Sequence, residues 1–560
     1  MSENTETTQV NEVPKEKVGF WKKWLPLFVM GLAVIIIVLD TTLLNVSLGT
    51  IVRDLHTNIM SLQWVITAYA LTLAALTITG GRFGDLFGRK RMFMLGATIF
   101  AIGSFIASIS HGVGMLIVGE SIIEGIGAAI MLPATLSLLV STYRGRDRAL
   151  ALGVWGGMAA AGSAIGPVVG GYLTSHYSWR WGFRINVVIA ALLLLGSIII
   201  KEARDRAEKP TIDWLGVLLS ATGLMGVVFG VIESSTYGWW KARSVFSFSG
   251  HSISFGSLSI VPISIFIGTL LLVGFYAWEQ RMTRRGKTPL VSMKIFRNRQ
   301  FTAGAALSTV MAVSQVGLIF GIPIFLQGVR HLDALHTGYG LLPLSVGLFI
   351  MAPLGGYFSK HFKPKHIVQV GLAINVLALI WLRHTMNVLA GPGNFALPLL
   401  AYGAGMGLGF SQLTNITISA VSVDESGEAS GVNNTLRQVG SSFGTAIIGS
   451  IIITQIATGL SSGVAKSTVI DDMHRPAIAA IVKAQSSNIE FGIPLQGQAL
   501  SQSETRELKR ISDEATVKAD REAVIFMAVF MLAAFAIASQ IPSVRVHDLE
   551  KNESLAAPAH

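Results

Sequence analysis

Apolar runs of about 20 residues, the length that crosses a hydrocarbon core, recur along almost the whole of this 560-residue chain. A backbone in lipid has no water to satisfy its amides and carbonyls, so such runs fold as helices or as a closed barrel. These runs are too long for barrel strands and do not alternate with a period of two, which leaves helices. Composition agrees, with 51% hydrophobic and only 13% charged residues, about half the charged share of a soluble domain. The expected fold is an all-α integral membrane protein. The run after Trp24 has spanning length, no small-residue cleavage site follows it, and acidic and basic residues mix in front of it. It is therefore expected to stay as the first span.

Length and charge boundaries place about fourteen spans, near residues 24–46, 61–80, 92–110, 114–141, 149–173, 183–200, 213–234, 258–278, 301–327, 337–358, 366–386, 395–421, 431–457 and 522–541. With the N-terminus inside, 28 of the 43 Lys and Arg fall on the cytoplasmic side and seven in short outer segments. The other eight lie in a long outer loop, about 458–521, which the positive-inside rule does not count. Both termini are thus expected in the cytoplasm. The net charge of +11 is spread over short loops and forms no single stripe, which argues against nucleic acid as a partner. The chain has no cysteine, which excludes disulfides, thiolate metal sites and cysteine nucleophiles. Histidines are scattered singly, so no metal site is expected.

The spans repeat. Gly80-Gly81-Arg82-Phe83 and Gly96 are echoed by Gly355-Gly356-Tyr357-Phe358 and Gly371, with Phe87 matched by Phe362 and Lys90 by Lys365, at a constant offset of 275. Gly162-x-x-x-Gly166 has a shifted counterpart in Gly440-x-x-x-Gly444. The organisation read from this is a tail at 1–23, a six-helix bundle at 24–200, two inserted helices and a cytoplasmic linker at 201–300, a second six-helix bundle at 301–541 and a tail at 542–560. Repeats of this kind put a substrate site at the midplane between halves that rock about it.

Two segments carry a family resemblance. Gly81-x-Phe-Gly-Asp85-x-x-Gly88-Arg89-Lys90 resembles the loop-two signature of the major facilitator superfamily, and Gly162-x-x-x-Gly166-Pro167-x-x-Gly170-Gly171 resembles the fifth-helix motif of its drug:proton antiporters. Leu39-Asp40-Thr41-Thr42-Leu43-Leu44-Asn45-Val46, the Trp179-Arg180-Trp181 to Asn186 stretch and Asp213-Trp214-Leu215-Gly216 are similar to the fourteen-helix branch of quaternary-ammonium and multidrug exporters. The resemblance implies alternating-access, proton-coupled export of amphipathic or cationic compounds from a bacterial inner membrane, without a bound cofactor. It also implies that Asp85 latches the two bundles together on the cytoplasmic side. A dedicated exporter of one endogenous lipid, siderophore or antibiotic would carry the same motifs. An uptake symporter or a membrane enzyme is a further alternative, although no nucleophile or paired His and Asp at a span end supports the enzyme.

Each motif has a physical reason. Glycines in the hinge permit a tight turn and close helix approach, while Asp85 can accept from the N-terminus of a neighbouring helix or pair with Arg89 or Arg146. The second copy has Lys360 in place of that acid, so the latch is asymmetric. In the fifth span, Gly162, Gly166, Gly170 and Gly171 form a small-residue face, and Pro167 removes a backbone donor. Tight contact there would seal the inward side of a cavity. The run Gly403-x-Gly405-x-Gly407-x-Gly409 lies inside a span and follows no strand, so packing explains it better than nucleotide binding. No Gly-x-x-x-x-Gly-Lys-Ser/Thr loop exists, which leaves ions as the energy source.

Intramembrane acids are the sharpest functional signal, because a carboxylate in lipid is costly and by default functional. Asp40 falls in the outer half of span one, and Glu120 and Glu124 share one face of span four. Glu233 lies near the outer end of span seven, where a cap role competes with proton coupling. Antiporters of the resembling branch usually carry an arginine before the Gly-x-Gly-Ala-Ala stretch of span four. Here the residues are Gly119-Glu120-Ser121-Ile122-Ile123-Glu124-Gly125-Ile126-Gly127-Ala128-Ala129, with no arginine. The reading is one coupled cluster of Asp40, Glu120 and Glu124 whose protonation competes with substrate. Trp64, Tyr69, Trp155, Met158, Phe410, Gln412 and Asn415 are expected along a central cavity, where aromatic and thioether groups suit amphipathic ligands. Ser503 to Arg521 is charge-rich with helical spacing and would extend the last span outward or dock an extracytoplasmic partner.

Overall fold

The computed structural model describes residues 20–541 apart from 58, 203–211, 244, 249–250, 333, 360, 423–424, 477 and 479–500. The first half comprises α1 (Phe20–Asp54), α2 (Ile59–Phe87), α3 (Arg89–Ser108), α4 (Val113–Leu116), a π-helical turn (Ile117–Glu124), α5 (Gly125–Thr142), α6 (Gly145–His176) and α7 (Arg180–Gly196). The inserted segment holds α8 (Trp214–Ile232), the short α9 (Ser234–Tyr237), an antiparallel hairpin of β1 (Phe246–Phe248) with β2 (His251–Ile253), and α10 (Ile260–Arg284). The second half runs through α11 (Arg299–Gly328), α12 (Ala334–Phe358), α13 (Pro364–Thr385), α14 (Pro392–Ile418), α15 (Ser426–Lys466) and α16 (Gln502–Ser539).

Among the described residues, twelve helices are long and apolar enough to cross a membrane. The expected count of fourteen is reached only by adding α6, of 32 residues and described only in part, and α14, of 27 residues, which falls short on apolarity. Both are rich in glycine and polar side chains because they face other helices. Gly403 and Gly407 of α14 lie against Leu344, Leu348 and Ala352 of α12, and Gly405 lies against Gly371 and Asn375 of α13. The glycine run is therefore a packing surface.

The internal repeat is visible in the packing. A Cβ at Gly96 of α3 would fall 2.8 Å from the Gly127 carbonyl oxygen of α5, and its echo Gly371 of α13 meets Gly405 and Gly409 of α14. Gly162 and Gly166 of α6 abut Ile35, Leu39 and Thr42 of α1, while Gly440 and Gly444 of α15 abut Thr309 and Val313 of α11. One large apolar core lies in the second half, and another in the first half is extended by Phe301, Ala305, Ile418, Ala429 and Val432 of the second. The inserted α8 packs on α2 through Leu71, Ala74 and Val228.

The outer loop adds a helical hairpin. Instead of ending near 457, α15 continues to Lys466, and the charged Ser503–Arg521 stretch forms the first half of α16 in one unbroken helix with the last span. Gly459 and Gly463 let the two approach at Ala515 and Ile511. Ser501 caps α16, its hydroxyl accepting from the Glu504 amide at 3.2 Å while Glu504 accepts from the Ser501 amide at 2.9 Å. Glu504 also meets the His474 Nδ1 at 2.8 Å and accepts from the Asp471 amide at 3.1 Å. The Glu504 carboxylate raises the pKa of the His474 imidazole. This contact is therefore fully formed below about pH 6.5, the ordinary histidine value, and weakens as pH rises through the raised value. Limited proteolysis of the outer loop is expected to speed up on the alkaline side of that window, and His474→Gln should remove the pH dependence.

Candidate functional site

The end of the bundle that carries Phe20 and Ser539 is rich in Arg and Lys and is called the basic face below. Here α2 ends and α15 begins, and Asp85 joins them. Its carboxylate accepts from the backbone amides of Gly427 at 3.2 Å and Glu428 at 2.9 Å, in the first turn of α15. Arg89, one turn along the chain, adds an ion pair at 3.2 Å. A carboxylate at a helix N-terminus satisfies unpaired amides and complements the helix dipole. The close approach needs glycine: a side chain at Gly81 would strike the Gly427 carbonyl, and one at Gly431 would fall 3.0 Å from the Thr77 carbonyl oxygen. Arg82 lies 3.9 Å from Glu428.

Gly88 has φ 106, in the region that favours glycine, and allows α3 to start at once after α2. Glu202 caps that start, accepting from the amides of Lys90 at 3.1 Å and Arg91 at 3.2 Å. The Arg146 side chain and Lys360 lie outside the described residues. Arg148 makes a further bridge between the halves, donating to Tyr143 O at 3.1 Å and to Ser419 Oγ, just after α14, at 3.2 Å.

The glycine ladder of α6 packs on α1 within the first half, with Gly170 against Leu43. Contact between the halves comes from Gly153 and Gly157, which abut Ala352, Pro353 and Phe349 of α12. The five residues from 157 to 162 turn a helix through about 140°, so the two glycine sets look in different directions. The Pro167 side chain lies outside the described residues. In this conformation α2 meets α15 and α6 meets α12, and the basic face is shut.

Deeper in the first half, Asp40, Glu120 and Glu124 are 2%, 1% and 0% exposed. Asn186 of α7 ties two of them together, its amide nitrogen donating to Asp40 Oδ1 at 2.7 Å and to Glu124 Oε1 at 3.3 Å. One oxygen of each of the three carboxyls has no hydrogen-bond partner, and neither does the buried Tyr69 hydroxyl. Tyr69 lies beside Gly125 and in the field of all three acids. Glu120 and Glu124 are carried by the π-helical turn, a local widening found often at functional sites. Asn186 supplies the donor at the cluster where the missing arginine was expected. In the sequence Asn186 is marked only by the motif it closes, because an amide carries no charge signal.

Glu233 stands apart. It is buried at the C-terminus of α8 and accepts from Thr67 Oγ1 of α2 at 3.3 Å. It holds the inserted helix to α2. Trp64 stacks on Phe229 of α8 at 5.9 Å, and Met158 packs on Gly31 of α1. Trp155 and Gln412 are buried with the indole nitrogen and amide oxygen unpartnered. Asn415 accepts from Ser419 at 3.3 Å, which links it to Arg148, and Phe410 is half-buried beside the second core. Asp520 of α16, within the stretch expected as the outer loop, is buried beside Gly321 with both oxygens unpartnered.

Two pseudo-equivalent helical halves, the first holding a cluster of buried carboxyls, shut against each other at one end by glycine contacts and a carboxylate clasp, define a multi-pass membrane transporter. Residues 30–445 match the Major Facilitator Superfamily, and the chain belongs to it. It is 29% identical over 436 residues to the tetracenomycin C resistance and export protein of Streptomyces glaucescens, covering 78% of this chain and 77% of that one. It is 30% identical over 437 residues to the multidrug efflux pump LfrA of Mycolicibacterium smegmatis, covering 77% and 81%. Among solved structures, the proton:xylose symporter XylE matches with a TM-score of 0.56 at 10% identity, over 95% of this chain and 99% of that one. The human organic anion transporter MFSD10 matches with a TM-score of 0.55 at 11% identity, over 92% and 99%. These likenesses show the fold.

Hydrogen bonds to a charged group contribute about 1.5–3 kcal/mol each. Asp85→Asn is therefore expected to lower the closed-to-open ratio of the basic face about tenfold or more while the protein remains folded. Labelling rates of single cysteines placed along α15 would measure the change, and the cysteine-free chain provides the background.

Proposed function

We propose that the chain is a proton-coupled secondary exporter of amphipathic or cationic drugs and related compounds, working by alternating access. The carrying observation is the buried Asp40–Asn186–Glu124 arrangement, with Glu120 beside it and unsatisfied oxygens on all three acids. Several kcal/mol would be lost by leaving these groups fully charged in a dry interior, so they hold protons until the site opens to water. Neighbouring carboxyls then titrate as one unit. A substrate bearing positive charge or hydrogen-bond donors competes for the same carboxylates, which makes proton release and substrate binding alternatives.

The names of the relatives, which describe drug and antibiotic export, support the direction of transport. The bias of Lys and Arg towards the basic face supports a cytoplasmic location for that face and both termini in a bacterial inner membrane. On this reading the Asp85 clasp shuts the cytoplasmic side, and Trp155, Gln412 and Asn415 are the polar and aromatic groups offered to substrate.

Ethidium transport in inverted vesicles, with and without a proton gradient, tests the proposal. Glu124→Gln is expected to abolish gradient-driven transport while leaving expression and thermal stability near those of the parent chain. Full gradient-driven activity in that variant would sink the assignment.

A further inference from the structure

The two inserted helices carry a second meeting of carboxyls, far in the chain from the Asp40 cluster. Asp213 caps α8, accepting from the Gly216 amide at 3.0 Å, and takes the Trp278 indole N–H of α10 at 2.8 and 3.0 Å. Glu279, the next residue along α10, is 0% exposed, and no donor reaches either of its oxygens. Its carboxyl is aimed at Asp213: a Cβ placed on Gly216 would lie 2.6 Å from an oxygen of each acid. The absence of a side chain at 216 is what lets the carboxyls face one another.

Two carboxylates cannot share such a site at full charge, because both repulsion and desolvation oppose it. A proton between them turns the repulsion into a hydrogen bond. Asp213 receives the Gly216 and Trp278 donors and Glu279 receives none, so a proton on Glu279 has Asp213 as its acceptor. Arg281, Arg284, Arg285 and Lys287 at the end of α10 and beyond it are exposed, and so is Lys294. The α8 side contributes Asp213.

The segment joining α10 to α11 lies over this pair as a strap. Leu290, Val291 and Ile295 are buried in the core of the first half, and Glu279 turns towards the Leu290 and Val291 amides without closing a bond of normal geometry. The next amide, Ser292, donates to Glu428 in the first turn of α15, the residue that Arg82 pairs with and whose amide Asp85 accepts. Asn298 then donates to the Ala420 carbonyl at 2.7 Å and Gln300 to the Ile416 carbonyl at 2.8 Å. The strap thus lies beside Glu279 at one end and is bonded at Ser292 to the clasp that shuts the basic face.

We infer that Glu279, held against Asp213 across Gly216, takes up a proton from water at the basic face, and that its protonated state docks the strap and favours the shut conformation. Loss of the proton leaves two anions facing each other across Gly216. The pair then separates and the strap lifts from Glu428. This gives the inserted helices a role that is independent of which acid couples transport.

The test uses the full chain in liposomes with spin labels at Lys294→Cys on the strap and Trp214→Cys at the start of α8, both exposed positions. One short interlabel distance is expected at acidic pH and a second, longer population as the pH rises. Glu279→Gln, whose amide replaces the donor of the protonated acid, should reduce the long population at alkaline pH by about tenfold or more. If that variant fails to reach the membrane, Asp213→Asn retains the cap acceptor and should show the same lock. A single distance at every pH in the parent, or an unchanged pH response in either variant, overturns the inference. Glu124→Gln should leave the pH response intact, so failure of the coupling assignment and failure of the strap are read separately.

Discussion

The Asp85 carboxylate, set on the free amides of Gly427 and Glu428, is the contact around which the shut end of the molecule is organised. It is a charged acceptor at the positive end of a helix, partly screened from water, where such an interaction is strongest. Its reach is short, so α2 and α15 must touch, and glycines at 81, 427 and 431 remove the side chains that would keep them apart. Once the helices touch, Arg82 can reach Glu428, and Glu428 can take the Ser292 amide of the strap. The bond is all-or-none, since a helix end one turn away offers no free amides. A clasp of this kind suits a protein that changes between two discrete shapes.

The acid cluster follows a different logic. Asp40, Glu120 and Glu124 come from α1 and from the π-helical turn, and Asn186 on α7 spans two of them. An arginine in that place would add a fixed positive charge beside the acids. An amide donates without adding charge. The glycine ladder at 162–170 contributes from behind by holding α6 against the stretch of α1 that carries Asp40.

Much of the architecture was legible from residues alone. The 275-residue offset from Gly96 to Gly371 predicted equivalent helix crossings, and both glycines sit against glycines of a neighbouring helix. Asp85 was legible as an acceptor for a helix end, although nothing in the sequence names α15 as the partner. The contact between α6 and α12 was not: Gly153 and Gly157 look like any glycines in an apolar run until α12 is seen against them. Glu279 was illegible for a related reason. A glutamate next to a run of arginines at a span end reads as a water-facing residue, and only the pairing of α8 with α10 turns it inward.

The sequence by itself determined that this chain is a bundle of membrane helices in two related halves, because the cost of an unsatisfied backbone in lipid leaves no other fold for runs of that length and composition. It also determined which side chains are chemically capable of carrying protons. Tertiary structure decided which of them meet. Burial, donors and facing charges come from residues more than a hundred positions apart, as with Asp40 and Asn186, Asp85 and Gly427, or Ser292 and Glu428. The protonation of a carboxyl follows from those neighbours more than from its place in the chain.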